Sequence, residues 1–255
     1  MDEGSRRKSA TADSFGESAD GYRESRMHRE GADLDRLSAW CSGAASALDI
    51  ATGAGHTAGA LLEGGIPFVV AVDASPSMVS TCRNSYPGTV GVVADAERLP
   101  FARNSFEVVT CRIAAHHFPD PRAFVREVAR VLAPGGTFAL EDNVAPEDDA
   151  LDAFLNRLEA ARDPTHNRSY PTSVWQEWLS DAGFSIEETV HLMKPIEYDS
   201  WVNRIGALDE HDREAVERLL LEAPDEAADY FEIQTEGGEV QSFGSQKGLI
   251  RAELP

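Results

Sequence analysis

The chain of 255 residues is long enough for one domain with a substantial core, and its 44 acidic and 23 basic residues give a net charge of −21. A surface of that charge repels phosphate backbones and anionic lipid, which excludes nucleic acid and membrane surfaces as favoured partners. Many carboxylates with very few lysines suit a cytoplasm of high salt. The composition therefore predicts a halophilic source, with a merely acidic protein as the alternative.

Targeting segments and metal-ligand patterns are also missing from the sequence. No stretch approaches the ~18 consecutive apolar residues of a membrane span, and the polar N-terminus lacks the apolar core of a signal peptide. We therefore expect a cytoplasmic protein without membrane insertion, present as a monomer or a homodimer. Cys41, Cys82 and Cys111 are odd in number, widely spaced and outside any metal-ligand pattern, which predicts free thiols and no metal site.

Two segments precede the first strand. Residues 1–14 are small, polar and charged without apolar periodicity, so they are expected to form a disordered tail. Residues 15–45 show apolar side chains at helical spacing and predict a helical N-terminal lid. Within this segment lies a cluster rich in hydrogen-bond donors that includes Tyr22, Arg26 and His28. The cluster predicts contacts with a bound ligand, and a purely structural helix pair is the alternative.

Residues 46–255 are predicted to form the main domain, with acceptor-site elements within 143–230. Apolar strands and amphipathic helices alternate along its first hundred residues, a pattern that indicates parallel strands joined by right-handed crossovers. Beyond Asp142 the pattern changes to two helices, a strand, a long helical stretch and a final antiparallel strand. The predicted fold is α/β, with a doubly wound, seven-stranded mixed sheet of Rossmann-like type that binds ligands at the carboxyl ends of its strands.

The central motif, residues 47–59, is a short apolar strand that breaks into a glycine turn and then opens a helix. Gly53 and Gly55 allow a sharp turn and a close approach of the backbone to a ligand. A second apolar run ends at Asp73, where a carboxylate can hold the two hydroxyls of an adenosine ribose. These residues predict a nucleoside-binding crevice.

The glycine motif alone also fits a nicotinamide dinucleotide enzyme, but three features favour S-adenosylmethionine. Asp49 lies inside the strand before the turn, where it can help to bind a methionine ammonium but would repel a pyrophosphate. Asp95 and Ala96 follow the third strand and can hydrogen-bond an adenine edge. The sequence Pro134-Gly135-Gly136 ends the fourth crossover helix.

With these motifs the chain resembles the class I S-adenosylmethionine-dependent methyltransferases, most closely the group that includes the ubiquinone and menaquinone C-methyltransferases. The resemblance covers residues 15–184, and it matches the motif I, ribose, adenine and post-helix motifs at residues 48–55, 70–78, 95–101 and 130–136. It implies S-adenosylmethionine as the cofactor and a small-molecule methyl acceptor.

The resemblance also implies which residues contact the cofactor. Asp49 and the glycine turn would contact the methionine part, Asp73 the ribose and Met78 the adenine face. Arg112 falls where that family lines the pocket with a small polar residue. Together with the three residues of the lid cluster, the implied cofactor-binding residues are Asp49, Ala51, Gly53, Ala54, Gly55, Asp73, Ala74, Met78, Asp95, Ala96 and Arg112.

The chemistry of methyl transfer points to two histidines. An in-line displacement requires a positioned acceptor and exclusion of water, and an oxygen, nitrogen or acidic carbon acceptor also needs a base. His116 and His117 follow the fourth strand, where the methyl group should point. Both are candidate bases, and His117 is favoured over His116. A capping or packing role is the alternative.

After Asp142 the sequence departs from the quinone-methylating enzymes. Asp142-Asn143, Arg162-Asp163-Pro164 and His166 indicate a different acceptor site. Two alternatives for the whole chain remain at this point, a non-catalytic S-adenosylmethionine-binding module and, less favoured, a nicotinamide-dependent oxidoreductase.

Overall fold

A computed structural model describes residues 3–17, 31–203 and 208–255 of the chain. Eight strands in this part, β1 to β8, are Ser46–Ile50, Phe68–Asp73, Thr89–Val93, Phe106–Arg112, Leu132–Asn143, Ser185–Glu197, Gln234–Glu236 and Glu239–Leu254. The described α-helices, α1 to α10, are Glu3–Glu17, Ala32–Trp40, His56–Glu63, Pro76–Ser85, Pro121–Val131, Asp149–Arg162, Thr172–Asp181, Tyr198–Val202, Glu210–Leu221 and Asp225–Tyr230. A 3-10 turn spans Ala115–His117.

The strands form one mixed sheet in the order β3-β2-β1-β4-β5-β8-β6. Strands β1 to β5 run parallel to one another, whereas β8 is antiparallel to both β5 and β6. The direction of winding reverses between β1 and β4, which creates a crevice at the carboxyl ends of these strands. The predicted doubly wound α/β fold is confirmed.

The number of strands differs from the prediction of seven. The additional strand, β7, has three residues and pairs with β8 alone. Gly237 and Gly238 join the two strands with positive φ angles of 63° and 91°, which a two-residue hairpin turn requires. Because all three residues of β7 are exposed, the segment lacks the apolar alternation from which a strand is predicted.

The core lies on both faces of the sheet. Leu48, Ile50 and Val109 face one layer, where they pack with Phe124 of α5 and Trp175 of α7. Their neighbours along the strands face the other layer and pack with α2 and α3. Burial on both faces explains why the central strands read as continuous apolar runs in the sequence.

The N-terminal segment differs from the expected disordered tail, because Glu3–Glu17 forms α1. This helix packs against α4 and is held by polar contacts, including a hydrogen bond from Ser77 Oγ to the Gly16 carbonyl. Such contacts leave no apolar periodicity in the sequence. The expected ligand contacts Tyr22, Arg26 and His28 lie outside the described residues.

The C-terminal third adds a layer of helices, in which α8 packs on β6 and β8 and α9 packs on β8. The predicted helical stretch over 201–230 contains α9 and α10 and the end of α8. Cys41, Cys82 and Cys111 are buried free thiols, as expected. None of the described helices combines the length and apolarity that crossing a bilayer requires.

Candidate active site

A cavity of about 570 Å³ opens at the carboxyl ends of β1 to β4, which is the size of a typical small-ligand site. Its walls come from the turns after these strands and from α1. Of the residues predicted from the sequence, those that line it are Ala51, Gly53, Ala54, Asp73, Ala74, Met78, Asp95, Ala96, Arg112 and His117.

The glycine turn after β1 shapes the floor of the cavity. Gly53 has a φ angle of 53°, and a Cβ built on it would meet no atom within 4 Å, so this backbone faces open space. Gly55, with a φ angle of 92°, packs away from the cavity, where a Cβ would lie 2.5 Å from Cys82 Sγ. Gly53 therefore allows approach of a ligand, and Gly55 serves internal packing.

Asp49 does not line the cavity, which corrects the expected direct contact with a methionine ammonium. Its side chain is buried beneath the turn, where Thr52 Oγ1 donates at 2.6 Å and Thr110 Oγ1 donates at 2.7 Å. Burial raises the pKa of Asp49 to about 6, although these two hydrogen bonds lower it. The carboxylate fixes the strand and turn from below.

Asp73 joins the turns after β1 and β2. Its Oδ2 accepts the Gly53 amide at 2.9 Å, and its Oδ1 accepts the Ser75 amide at 2.9 Å. Burial raises the pKa of Asp73, and these backbone hydrogen bonds oppose the rise. Each carboxylate oxygen has capacity for a further donor, so the side chain can accept hydroxyl groups from a ligand in the cavity.

The end of β3 forms the opposite wall with α1. Asp95 Oδ1 accepts the Glu97 amide at 2.9 Å, and its Oδ2 accepts Lys8 Nζ of α1 at 2.7 Å. Lys8 also pairs with the Glu97 carboxylate. The sequence did not predict Lys8 at the site, although a lysine is rare in this acidic chain and could have drawn attention to it.

Arg112, at the end of β4, lies in a buried ionic network beside the cavity. Its Nε donates to Glu141 Oε2 at 2.6 Å and its Nη2 donates to Asp33 Oδ2 at 2.7 Å. Lys194 Nζ of β6 lies 2.5 Å from the same Asp33 oxygen. Asp33, Glu141 and Lys194 were not predicted as site residues.

His117 lines the cavity with its ring held from behind. Its Nδ1 lies 3.1 Å from the Thr165 carbonyl oxygen, which can only accept, so Nδ1 carries the proton and Nε2 keeps its lone pair. Burial and the neighbouring His116 lower the pKa of His117 to about 3. Phe15 of α1 meets the ring edge-on at 4.9 Å.

His116 lies behind His117 and is not part of the cavity wall. Asp142 Oδ1 is 2.6 Å from its Nδ1, and Asp142 Oδ2 accepts its backbone amide at 2.8 Å. Although burial lowers the pKa of His116, Asp142 raises it further, so the net shift is upward. The Asp142 carboxylate therefore fixes the orientation of this ring and favours its protonated form.

Of the residues predicted as an acceptor site, Asp142, Asp163 and His166 lie around this histidine pair. The ring centroid of His166 lies 5.7 Å from that of His116, and Asp163 Oδ2 lies 4.0 Å from His117 Nε2. Arg162 points elsewhere, because its Nη2 donates to the Trp201 carbonyl at 3.0 Å. Within the described part of the chain, no group of these side chains could hold a metal ion.

Comparison with known proteins agrees with this geometry. The methyltransferase domain family matches residues 48–140. The uncharacterized methyltransferase YcgJ of Bacillus subtilis (strain 168) is 40% identical over 249 residues, which cover 93% of this chain and 96% of YcgJ. The demethylmenaquinone methyltransferase of Chlorobaculum parvum is 33% identical over 104 residues, which cover 41% of this chain and 43% of that enzyme.

A solved structure extends the similarity to the whole fold. The crystal structure of BH2331 from Bacillus halodurans C-125 superimposes with a TM-score of 0.84 at 37% identity, covering 88% of this chain and 100% of that one. The similarity therefore includes the C-terminal layer as well as the motif region. The chain belongs to the class I S-adenosylmethionine-dependent methyltransferase family.

Proposed function

We propose that the chain binds S-adenosylmethionine in the cavity and transfers its methyl group to a small-molecule acceptor by in-line displacement. The observation that carries the proposal is the position of Asp73, whose carboxylate lines the cavity and accepts the backbone amide of the open-faced Gly53. A ribose diol at Asp73 would lie directly beside the glycine turn. That arrangement favours a nucleoside cofactor over other small ligands.

The other walls fit the two ends of this cofactor. Met78 offers an apolar, polarizable side chain to an adenine face, and Asp95 and Ala96 lie where an adenine edge would end. At the other end, the guanidinium of Arg112 suits a carboxylate such as that of the methionine part. Asp49 would act on the methionine part indirectly, by holding the turn.

When bound, S-adenosylmethionine supplies an electrophilic methyl group, so the chain must orient the acceptor and exclude water. Phe15 and Lys8 place α1 over the cavity, and residues 15–45 as a whole are proposed to act as a lid. His117 is too weak a base for complete proton removal at neutral pH, given its lowered pKa. We assign it the role of accepting a hydrogen bond from the acceptor through Nε2.

His116 remains the second candidate base, because Asp142 holds its ring and increases its basicity. The neighbouring Asp163 and His166 would complete the acceptor side. A cytoplasmic location, a halophilic source and a monomeric or homodimeric state belong to the same proposal. The family assignment removes the nicotinamide alternative, and the non-catalytic binding module becomes an outcome of the experiments.

The cofactor site is tested by calorimetric titration with S-adenosylhomocysteine. Asp73→Ala removes the proposed ribose acceptor and should weaken binding about tenfold or more, since leaving polar groups unpaired costs ~1–3 kcal/mol. Asp181→Ala, which removes an exposed carboxylate from the end of α7, should bind as the unmodified chain does. Equal affinities of all three proteins would contradict the cofactor assignment.

A further inference from the structure

Two buried carboxylates beside the cavity each have one oxygen without a hydrogen-bond partner. Asp33 of α2 and Glu141 of β5 are fully buried, and Asp33 Oδ1 and Glu141 Oε1 make no hydrogen bond within residues 3–17, 31–203 and 208–255. Leaving a carboxylate oxygen unpaired away from water is costly. Something must therefore satisfy both atoms.

The remaining oxygens of the two carboxylates are taken by cations. Glu141 Oε2 and Asp33 Oδ2 accept from the same guanidinium, that of Arg112, at 2.6 Å and 2.7 Å. This shared donor draws the two carboxyl groups together. On the far side, Asp33 Oδ1 lies so close to Gly31 that a Cβ built there would overlap it.

We propose that Asp33 and Glu141 share one proton, donated from Glu141 Oε1 to Asp33 Oδ1, and that this pair positions the Arg112 guanidinium for the carboxylate of the cofactor. The inference rests on the proposed role of Arg112 in cofactor binding. Asp33 and Glu141 are positioning residues, because they act on the cofactor through Arg112.

The electrostatics of the network agree with a shared proton. Burial raises the pKa of Glu141 to about 7, the charge of Arg112 opposes the rise, and Asp33 adds to it. Burial alone would raise the pKa of Asp33, but hydrogen bonds with Glu141 and Lys194 and the charge of Arg112 hold it below its usual range. Other charged groups around the pair are Lys247 of β8 and, beyond Arg112, Asp49 of β1.

The proton changes the charge that the network presents to a ligand. With Glu141 neutral, the pair sets one negative charge, that of Asp33, against Arg112 and Lys194. With Glu141 ionised, the two carboxylates neutralise both cations and repel each other across one guanidinium. Cofactor affinity should therefore fall as Glu141 loses its proton.

The direction of the effect on stability follows from the same shift. The pKa of Glu141 is higher in the folded chain than its ordinary value of 4.5. The contribution of this pKa shift to the free energy of unfolding is therefore fully present below about pH 4.5 and is lost as the pH rises through about 7. Binding of an anionic group at Arg112 should in turn favour the protonated form.

The test compares the pH dependence of S-adenosylhomocysteine affinity in three proteins, from about pH 5.5 to about pH 8.5. In Glu141→Gln the carbonyl oxygen can accept from Arg112 while the amide donates to Asp33, which mimics the protonated acid without a titration. Glu188→Gln is the matched control, because Glu188 accepts hydrogen bonds from Arg36 and Trp40 of α2 at the surface. Titration of the ligand itself is common to all three.

We expect the affinity of the unmodified chain to fall about three- to tenfold across this window, since a shift of one pKa unit corresponds to a factor of ten. Glu141→Gln should bind with a shallower profile, which keeps only the titration of other groups such as Asp49, and Glu188→Gln should retain the profile of the unmodified chain. A flat profile in the unmodified chain, or an unchanged slope in Glu141→Gln, would overturn the proposal.

An infrared measurement separates this inference from the proposed function. At about pH 6 without ligand, the carbonyl absorption of protonated carboxyl groups should be weaker in Glu141→Gln than in the unmodified chain, and the contribution of Asp49, whose pKa is also raised, should be the same in both. If Glu141→Gln does not fold, Asp33→Asn should move the titration of that absorption to lower pH, because its amide donates to ionised Glu141. Equal absorption in the unmodified chain and in Glu141→Gln refutes the shared proton, whereas the expected difference without binding of S-adenosylhomocysteine refutes the cofactor assignment alone.

Discussion

Gly55 combines a left-handed backbone with an absence of space for a side chain. Gly55→Ala places a Cβ 2.5 Å from Cys82 Sγ at a φ angle of 92°. We expect a loss of ~2–4 kcal/mol in the free energy of unfolding, from backbone strain and overpacking together. Gly65→Ala is the matched control, since Gly65 has a φ angle of 93° and nothing within 4 Å of a built Cβ.

Urea denaturation of the two variants separates strain from packing. Gly65→Ala should lose ~1 kcal/mol, which is the backbone term alone. Losses of the same size in both variants would show that the contact with Cys82 relaxes without cost.

At the residue scale, cofactor-binding residues that were predicted from contiguous motifs lie on one cavity. Gly53, Asp73 and Met78 belong to contiguous motifs, and the structure places all of them on the cavity wall. The ionic network could not be predicted, because Asp33, Arg112 and Glu141 are joined across 79 and 29 residues of sequence. Asp49 was misplaced because the sequence does not give the direction of a strand side chain relative to the turn above it.

At the element scale, polar contacts hold α1 beside the cavity. Lys8→Met removes its contacts with Asp95 and Glu97, and Lys8 is partly exposed, so the expected effect is small. Amide hydrogen exchange over residues 3–17 should become about two- to fivefold faster. Arg126→Met, which removes a charge from an exposed pair on α5, should leave this exchange unchanged.

Ligand binding should act on the same helix in the opposite direction. Because α1 lines the cavity, S-adenosylhomocysteine should slow exchange in α1, and a lid role predicts slower exchange through residue 31 as well. Equally fast exchange with and without ligand would show that these residues are not a lid.

The helices and strands were predictable where burial requires apolar side chains at a regular spacing, and they were less predictable elsewhere. The central strands and α5 carry apolar side chains at regular spacing because each packs on a core. α1 and β7 lack that spacing, because α1 has polar contacts and β7 is exposed on both faces. Both α1 and β7 are fixed by tertiary contacts that produce no periodic pattern of apolar residues in the sequence.

At the scale of the whole molecule, the excess of acidic over basic residues should govern the response to salt. Added ions screen the repulsion between carboxylates, so thermal stability should rise from low to molar potassium chloride. A gain of ~1 kcal/mol corresponds to about 2–4 °C in Tm for a chain of this size. A flat or falling Tm would remove the case for a halophilic source.

Consumption of the cofactor tests the central proposal most directly, because a binding module would hold S-adenosylmethionine without using it. The measurement is transfer of label from methyl-labelled S-adenosylmethionine into a small-molecule extract of the source cells, with Asp73→Ala and Asp181→Ala in parallel. The account predicts labelled low-mass product with the unmodified chain and with Asp181→Ala, and about tenfold less with Asp73→Ala at limiting cofactor. Tight binding of S-adenosylhomocysteine without any transfer of label would contradict the account and identify a non-catalytic binding module.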